Sequence, residues 1–132
     1  MIQEPSIAPI RISELSKGHA GAQYNLGFMY ANSQGVPQDD VEVVRWYRLA
    51  ADQGDAASQG NLGVMYANGR GVPQDDVLAH MWSNLAASRM TGEGRESIVS
   101  DRDRLRAKMT TEQVVEAQRL AREWDEAHPR EP

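Results

Sequence analysis

The chain has 132 residues, a length that suits one domain around one continuous core. Its formal charge of -5 and pI near 5.1 exclude nucleic acid or an anionic membrane as the main partner, since both need a basic footprint. With 40% hydrophobic and 25% charged residues and no cysteine, it is expected to be globular, without disulfides or thiolate metal sites.

The opening MIQEPSIAPIRISELSKG lacks a basic start followed by an apolar run of signal-peptide length. No later segment approaches the ~18 apolar residues of a membrane span. A complete sequence would therefore be expected in the cytoplasm, whereas a trimmed start would leave export open. Ile7, Ile10, Ile12 and Leu15 punctuate the opening, and Leu15 to Gly18 stands where Ala51 to Gly54 stands later. Residues 1–17 are expected to be an extension with a partial capping helix.

From Gly18 the sequence repeats itself. Residues 18–53 lie over 54–89 with a period of 36 and no gap. QxNLGxMYAN occurs at Gln23 to Asn32 and at Gln59 to Asn68, and GVPQDDV follows at Gly35 to Val41 and Gly71 to Val77. Trp46, Leu49, Ala50 and Ala51 return as Trp82, Leu85, Ala86 and Ala87. A period in this range predicts a solenoid if each unit holds two helices. In the first helix Ala22, Leu26, Met29 and Tyr30 share one face, matched later by Ser58, Leu62, Met65 and Tyr66. In the second helix Val41, Val44 and Arg48 combine with Trp46, Leu49 and Ala50. Gly27 and Gly63 stand mid-helix at a cost of about 1 kcal/mol each relative to alanine, so the paired helix is expected to cross there too closely for a side chain.

GVPQDDV reads as the joint between the two helices. Gly35 and Gly71 give backbone freedom after the first helix, and Pro37 and Pro73 stop its continuation. Asp39 and Asp75 stand at the N-cap of the second helix, with Asp40 and Asp76 in its first turn. Glu42 makes a capping box with Asp39, and Gly54 is a candidate C-cap opening the next unit. Adjacent aspartates on a helix diverge by about 100°, which suits capping better than shared metal coordination.

Beyond the second unit, Glu93 to Met109 carries Ile98, Arg102, Leu105 and Met109 in helical register. Thr110 and Gln113 then form a capping box ahead of a stripe of Val114, Ala117, Leu120, Ala121 and Trp124. Residues 90–128 are expected to be a divergent capping pair, and 129–132 a tail. The expected fold is all-α, a solenoid of helix pairs with two full repeats, 18–53 and 54–89, between divergent ends.

NLGxMYANGxGVPQDxxxAxxWxxLAA, as it stands from Asn61 to Ala87, resembles the Sel-one-like repeat, a relative of the tetratricopeptide repeat. The resemblance covers about Gly18 to Ser88; the first copy departs at Ser33, opposite Gly69, and at Val44, opposite His80. It implies right-handed stacking of antiparallel helix pairs and a role in scaffolding protein complexes, in a family with few established enzymes. MTxEQxxEAQRLAxxW also resembles the ending that follows the last repeat in many bacterial members. A cysteine-rich branch, linked to β-lactam binding, staples every unit with a disulfide; this chain has none of those cysteines.

The residues show no catalytic constellation. His19, His80 and His128 each lack a second histidine at ligand spacing and read as surface or packing residues, with His128 in a frayed tail. GxxxxGK[ST], HExxH and GxSxG are missing. Ser100-Asp101-Arg102 only faintly resembles an SDN element, without SxxK or KTG, and RDRLR reads as a solvated, salt-bridged face. No cofactor or metal is expected.

In stacked helix pairs the first helices line the concave side. Residues off their core stripe are then Tyr24, Asn25, Phe28 and Asn32, followed by Asn61, Val64 and Asn68. This aromatic and amide-rich set suits a protein or peptide partner, although Tyr24 and Phe28 could equally pack on the neighbouring unit. The expectation is an adaptor that is monomeric or weakly self-associating. Alternatives are a cell-wall-related or β-lactam-hydrolysing enzyme, and a small inhibitor or immunity-type regulator.

Overall fold

A computed structural model describes residues 19–32 and 39–130. Gly35, Pro37 and the expected amino-terminal cap lie outside the described residues. Six helices are described: α1 (Ala20–Ala31), α2 (Asp40–Ala51), α3 (Ala56–Asn68), α4 (Asp76–Ala87), α5 (Gly92–Arg106) and α6 (Thr111–Ala127). No strand occurs among the described residues. The fold is an all-α solenoid of antiparallel helix pairs, in which α1 packs on α2 and α3 on α4, while α2 meets α3. The last two helices depart from the pattern, because α5 and α6 both lean on α4.

The helix starts follow from capping chemistry. The Asp39 carboxylate accepts from the backbone N–H groups of Val41 and Glu42, at 3.1 and 3.3 Å, and Asp75 accepts from Leu78 at 3.0 Å. Thr110 and Gln113 form the reciprocal capping box. Glu42 does not turn back to Asp39; its carboxylate meets Arg45 at 3.3 Å. Asp55, which the repeat pattern did not single out, caps α3 through the Ser58 N–H and hydroxyl at 3.0 and 2.6 Å. Gly54, at φ 91°, turns the chain out of α2 and into that cap.

The glycines at the pair crossings are close contacts. A Cβ on Gly27 would lie 2.8 Å from the Tyr47 ring, and one on Gly63 would lie 3.0 Å from the Ser83 hydroxyl and 3.2 Å from the Ala79 carbonyl. Val99 holds the corresponding place in α5, one period after Gly63, and α5 and α6 do not pack as a close pair. Gly60 serves a different crossing, since its missing Cβ leaves room for the Ile98 side chain of α5.

These crossings decide which residues are inside. Val43, Trp46, Ala50, Ala51 and Leu62 are fully buried, and Tyr47, Trp82 and Leu85 nearly so. The stripe read for α2 is therefore corrected at its first position. Val41 is 63% exposed, while Val43 and Tyr47 face inward, because the contact with Gly27 rotates the helix to bring the Tyr47 ring against α1. In α1 the buried residues are Gln23 and Gly27, with Leu26, Met29 and Tyr30 half-buried. At the repeat-equivalent place Gln59 is also fully buried, and its amide donates to the Ala51 carbonyl at 3.1 Å. The first helix of the second unit thereby adds a second donor to a helix-end carbonyl of α2 that already accepts from the Gly54 N–H at 2.9 Å.

Candidate binding surfaces

The seven residues expected on the first-helix face divide in two. Phe28 and Val64 are each 42% exposed and one period apart on α1 and α3. Asn25, Asn32 and Asn68 are also exposed. Tyr24 is half-buried, stacked on Phe28 with ring centroids 6.3 Å apart and packed on Tyr47 at 5.7 Å. Its neighbour is thus the second helix of its own unit. Asn61, half-buried, lies beside the Tyr47 hydroxyl. Burial raises the pKa of that hydroxyl and nearby Tyr24 pushes the same way, with Asn61 opposing both. Asn32 and Asn68 donate to the carbonyls of Phe28 and Val64, at 2.8 and 3.0 Å. Each spends one amide hydrogen closing the end of its own helix.

Next to Val64 a groove of about 410 Å³ runs between α3 and α5. Val64, Ala67 and Leu105 supply its apolar lining, Asn68 an amide, and Asp101, Arg104 and Lys108 its charges. Arg104 is paired with Asp101 at 2.5 Å, whereas Lys108 has no ion pair among the described residues.

Two seams join successive units, and their chemistry differs. At the seam between α2 and α3, Arg48 donates to the Tyr66 hydroxyl and lies 5.7 Å from the centroids of both the Tyr66 and Trp82 rings. The second GVPQDDV copy closes on the same seam. Arg70 pairs with Asp40 at 3.2 Å, and Gly71, at φ 73°, is so close to α2 that a Cβ would fall 2.3 Å from the Asp40 carbonyl oxygen. Asp40 is therefore an inter-unit ion-pair partner as well as a first-turn acid.

At the seam between α4 and α5, His80, Asn84 and Arg102 replace Val44, Arg48 and Tyr66, each one period on. Arg102 donates to Asn84 Oδ1 at 3.0 Å, which leaves the Asn84 amide nitrogen facing His80 Nδ1 at 3.2 Å. An amide nitrogen only donates, so Nδ1 is the acceptor and the ring proton sits on Nε2. That atom is buried without a hydrogen-bond partner among the described residues. Burial lowers the His80 pKa below its ordinary value, and the charges of Arg102 and then Arg106 add to the effect against the opposing Asp103. RDRLR is thus only partly a solvated face: Arg102 also pairs with Asp103 at 3.1 Å while reaching Asn84.

His128 is not frayed. Its ring stacks on Trp124 with centroids 3.9 Å apart and a 9° interplanar angle, and Nδ1 lies 2.8 Å from the Trp124 carbonyl oxygen. Trp124 also meets Trp82 edge-on at 5.9 Å and Arg89 at 5.1 Å, while Arg89 pairs with Asp125 at 3.1 Å. These aromatic contacts hold the end of α6, where sequence order alone suggested a loose terminus. No group of three or more His, Asp or Glu side chains placed to hold a metal ion occurs among the described residues.

The Sel1 repeat family matches residues 20–55 and again residues 56–89. The chain belongs to the Sel1 repeat family. Such repeats are typically protein-interaction modules. Among solved structures, a protective antigen present in uropathogenic Escherichia coli strains, described as displaying an SLR fold, is 32% identical with a TM-score of 0.77. That match covers 86% of this chain but 24% of the antigen. A Sel1 repeat protein from Oxalobacter formigenes is 37% identical with a TM-score of 0.61, over 66% of this chain and 65% of that one. The chain therefore spans about a quarter and just under two thirds of the lengths of these two proteins. A comparison with curated proteins gives no match. No helix of the described residues is long and apolar enough to cross a membrane.

Proposed function

We propose that this Sel1 repeat protein is an adaptor that binds a protein or peptide partner along the face shared by α1, α3 and α5. The carrying observation is the exposure of Phe28 and Val64 at the same place in successive units, beside a groove with an apolar lining and charged walls. Large apolar side chains held out of the core on a rigid helix are suited to anchor a partner, and neighbouring amides and charges can set its register. Asn32 and Asn68 retain part of their amide capacity for this task, while Tyr24 and Asn61 stiffen the surface from below through Tyr47.

Affinity purification with the wild-type protein, compared with a Phe28→Ser, Val64→Ser double variant, tests the reading. Loss of specific partners at an unchanged melting temperature is expected. Identical capture by the two proteins would remove this face from consideration.

A further inference from the structure

A second groove, of about 460 Å³, lies away from the Phe28 and Val64 face, between α2 and the end of α3. Val44, Leu49 and Val72 give it an aliphatic lining, and Arg45, Arg48 and Tyr66 complete it. Arg48 stands out there. It is half-buried, has no ion pair among the described residues, and its Nε is buried without a hydrogen-bond partner. Of the five N–H donors of a guanidinium, the Tyr66 hydroxyl takes one. Arg70, Arg89 and Arg102, at the other contacts between units, each reach a carboxylate. Arg45, at the rim, already shares its charge with Glu42.

We infer that this groove docks a segment of a partner polypeptide in which an aliphatic side chain and a carboxylate stand side by side. The aliphatic group fills the space between Val44, Leu49 and Val72, and the carboxylate is bound by Arg48. A guanidinium set against two aromatic rings, 5.7 Å from each centroid, is pre-oriented, so it forms a charge-assisted pair at little ordering cost. The occupant is a chain segment because Val41, 63% exposed, stands one turn ahead of Val44 and Arg45 on the same helix, so exposed apolar positions extend beyond the groove itself. This site and the α1, α3 and α5 face do not depend on each other.

The test uses isotope-labelled full-length protein and two synthetic octapeptides, one with a glutamate between two leucines in a glycine-serine frame, the other with glutamine replacing the glutamate. In NMR titrations the glutamate peptide is expected to move the amide signals of Val44, Leu49 and Val72 and the Nε–H signal of Arg48. The glutamine peptide should bind on the order of tenfold more weakly. Arg48→Met, which keeps the stem against the rings, should erase the difference between the peptides; Arg48→Lys should keep part of it. Phe28→Ser should leave both titrations unchanged. Equal affinity for the two peptides, shifts confined to the Phe28 and Val64 face, or no movement at Arg48 at millimolar peptide would overturn the assignment. The peptide comparison on the unaltered protein decides the matter even if Arg48→Met fails to fold.

Discussion

The two seams of this molecule occupy equivalent places and are built differently. Between α2 and α3, an aliphatic residue and an arginine meet a tyrosine, and a glycine turn closes tightly over the helix start. Between α4 and α5, a histidine and an asparagine meet an arginine, and the chain leaves α5 through Ala107 in ordinary helical conformation. The same register thus supports both a cation against aromatic rings and a chain of hydrogen bonds. What the repeat fixes is the position of the meeting residues, and the chemistry at those positions is free to vary. The consequence is that the first seam should be sensitive to shape and the second to protonation.

The largest effect should come from the glycine turn. Gly71→Val adds both left-handed strain and a clash with the Asp40 carbonyl, and should destabilise by roughly 2–5 kcal/mol in chemical denaturation. Ala107→Val, the corresponding change at the second seam, meets neither left-handed backbone nor a buried carbonyl and should cost under about 1 kcal/mol. Equal losses would show that the seams are closed in the same way.

Protonation should separate the seams next. The His80 pKa is lowered in the folded state, so the unfolded chain binds the proton more readily. The contribution of the neutral ring is complete above the unfolded value of about 6.5 and is lost as pH falls below it. At pH 5.5 the loss is at most about 1.4 kcal/mol. His80→Val, which copies the residue at the first seam, should flatten the change in stability between pH 8 and pH 5.5. An unchanged pH profile would show that His80 does not govern it.

A smaller effect is expected at the cap that follows the first helix of the second unit. Asp75→Ala removes the acceptor for the Leu78 N–H and should cost about 1 kcal/mol without altering partner binding. The smallest should be Arg70→Ala. Its pair with Asp40 is exposed, and the loss should stay below about 1 kcal/mol and shrink further in 1 M salt.

Much of the fold was legible because its determinants lie close together in the sequence. Asp39, Asp75 and Thr110 stand next to the helices that they cap, and Gly27 and Gly63 announce their crossings by an otherwise costly placement. Asp55 could have been found in the same way, as an aspartate three residues ahead of Ser58 at the start of an apolar pattern. The exposure of Val41 was not legible, since periodicity allows neighbouring faces and only the contact of Tyr47 with Gly27 chooses between them. Nor could the sequence show that Asn61 is engaged by Tyr47, that His80 is sealed beneath α5, or that His128 lies flat on Trp124. Each of these depends on a rotation set by tertiary packing; the place of Phe28 and Val64 off the core stripe was legible, but whether Phe28 would instead pack on the neighbouring unit was not.

Val99 extends the lesson from the seams to the growth of the array. In a repeat protein the residue at each helix crossing acts as a spacer, and a hydrogen atom at Gly27 and Gly63 gives the shortest spacer that a chain can encode. At the corresponding place in α5, Val99 puts three further carbons, and there α6 packs on α4 rather than pairing closely with α5. A spacer of this kind is a means by which a chain can set the step between modules one residue at a time. Val99→Gly is expected to bring α5 and α6 closer together; an unchanged separation would assign their step to other residues.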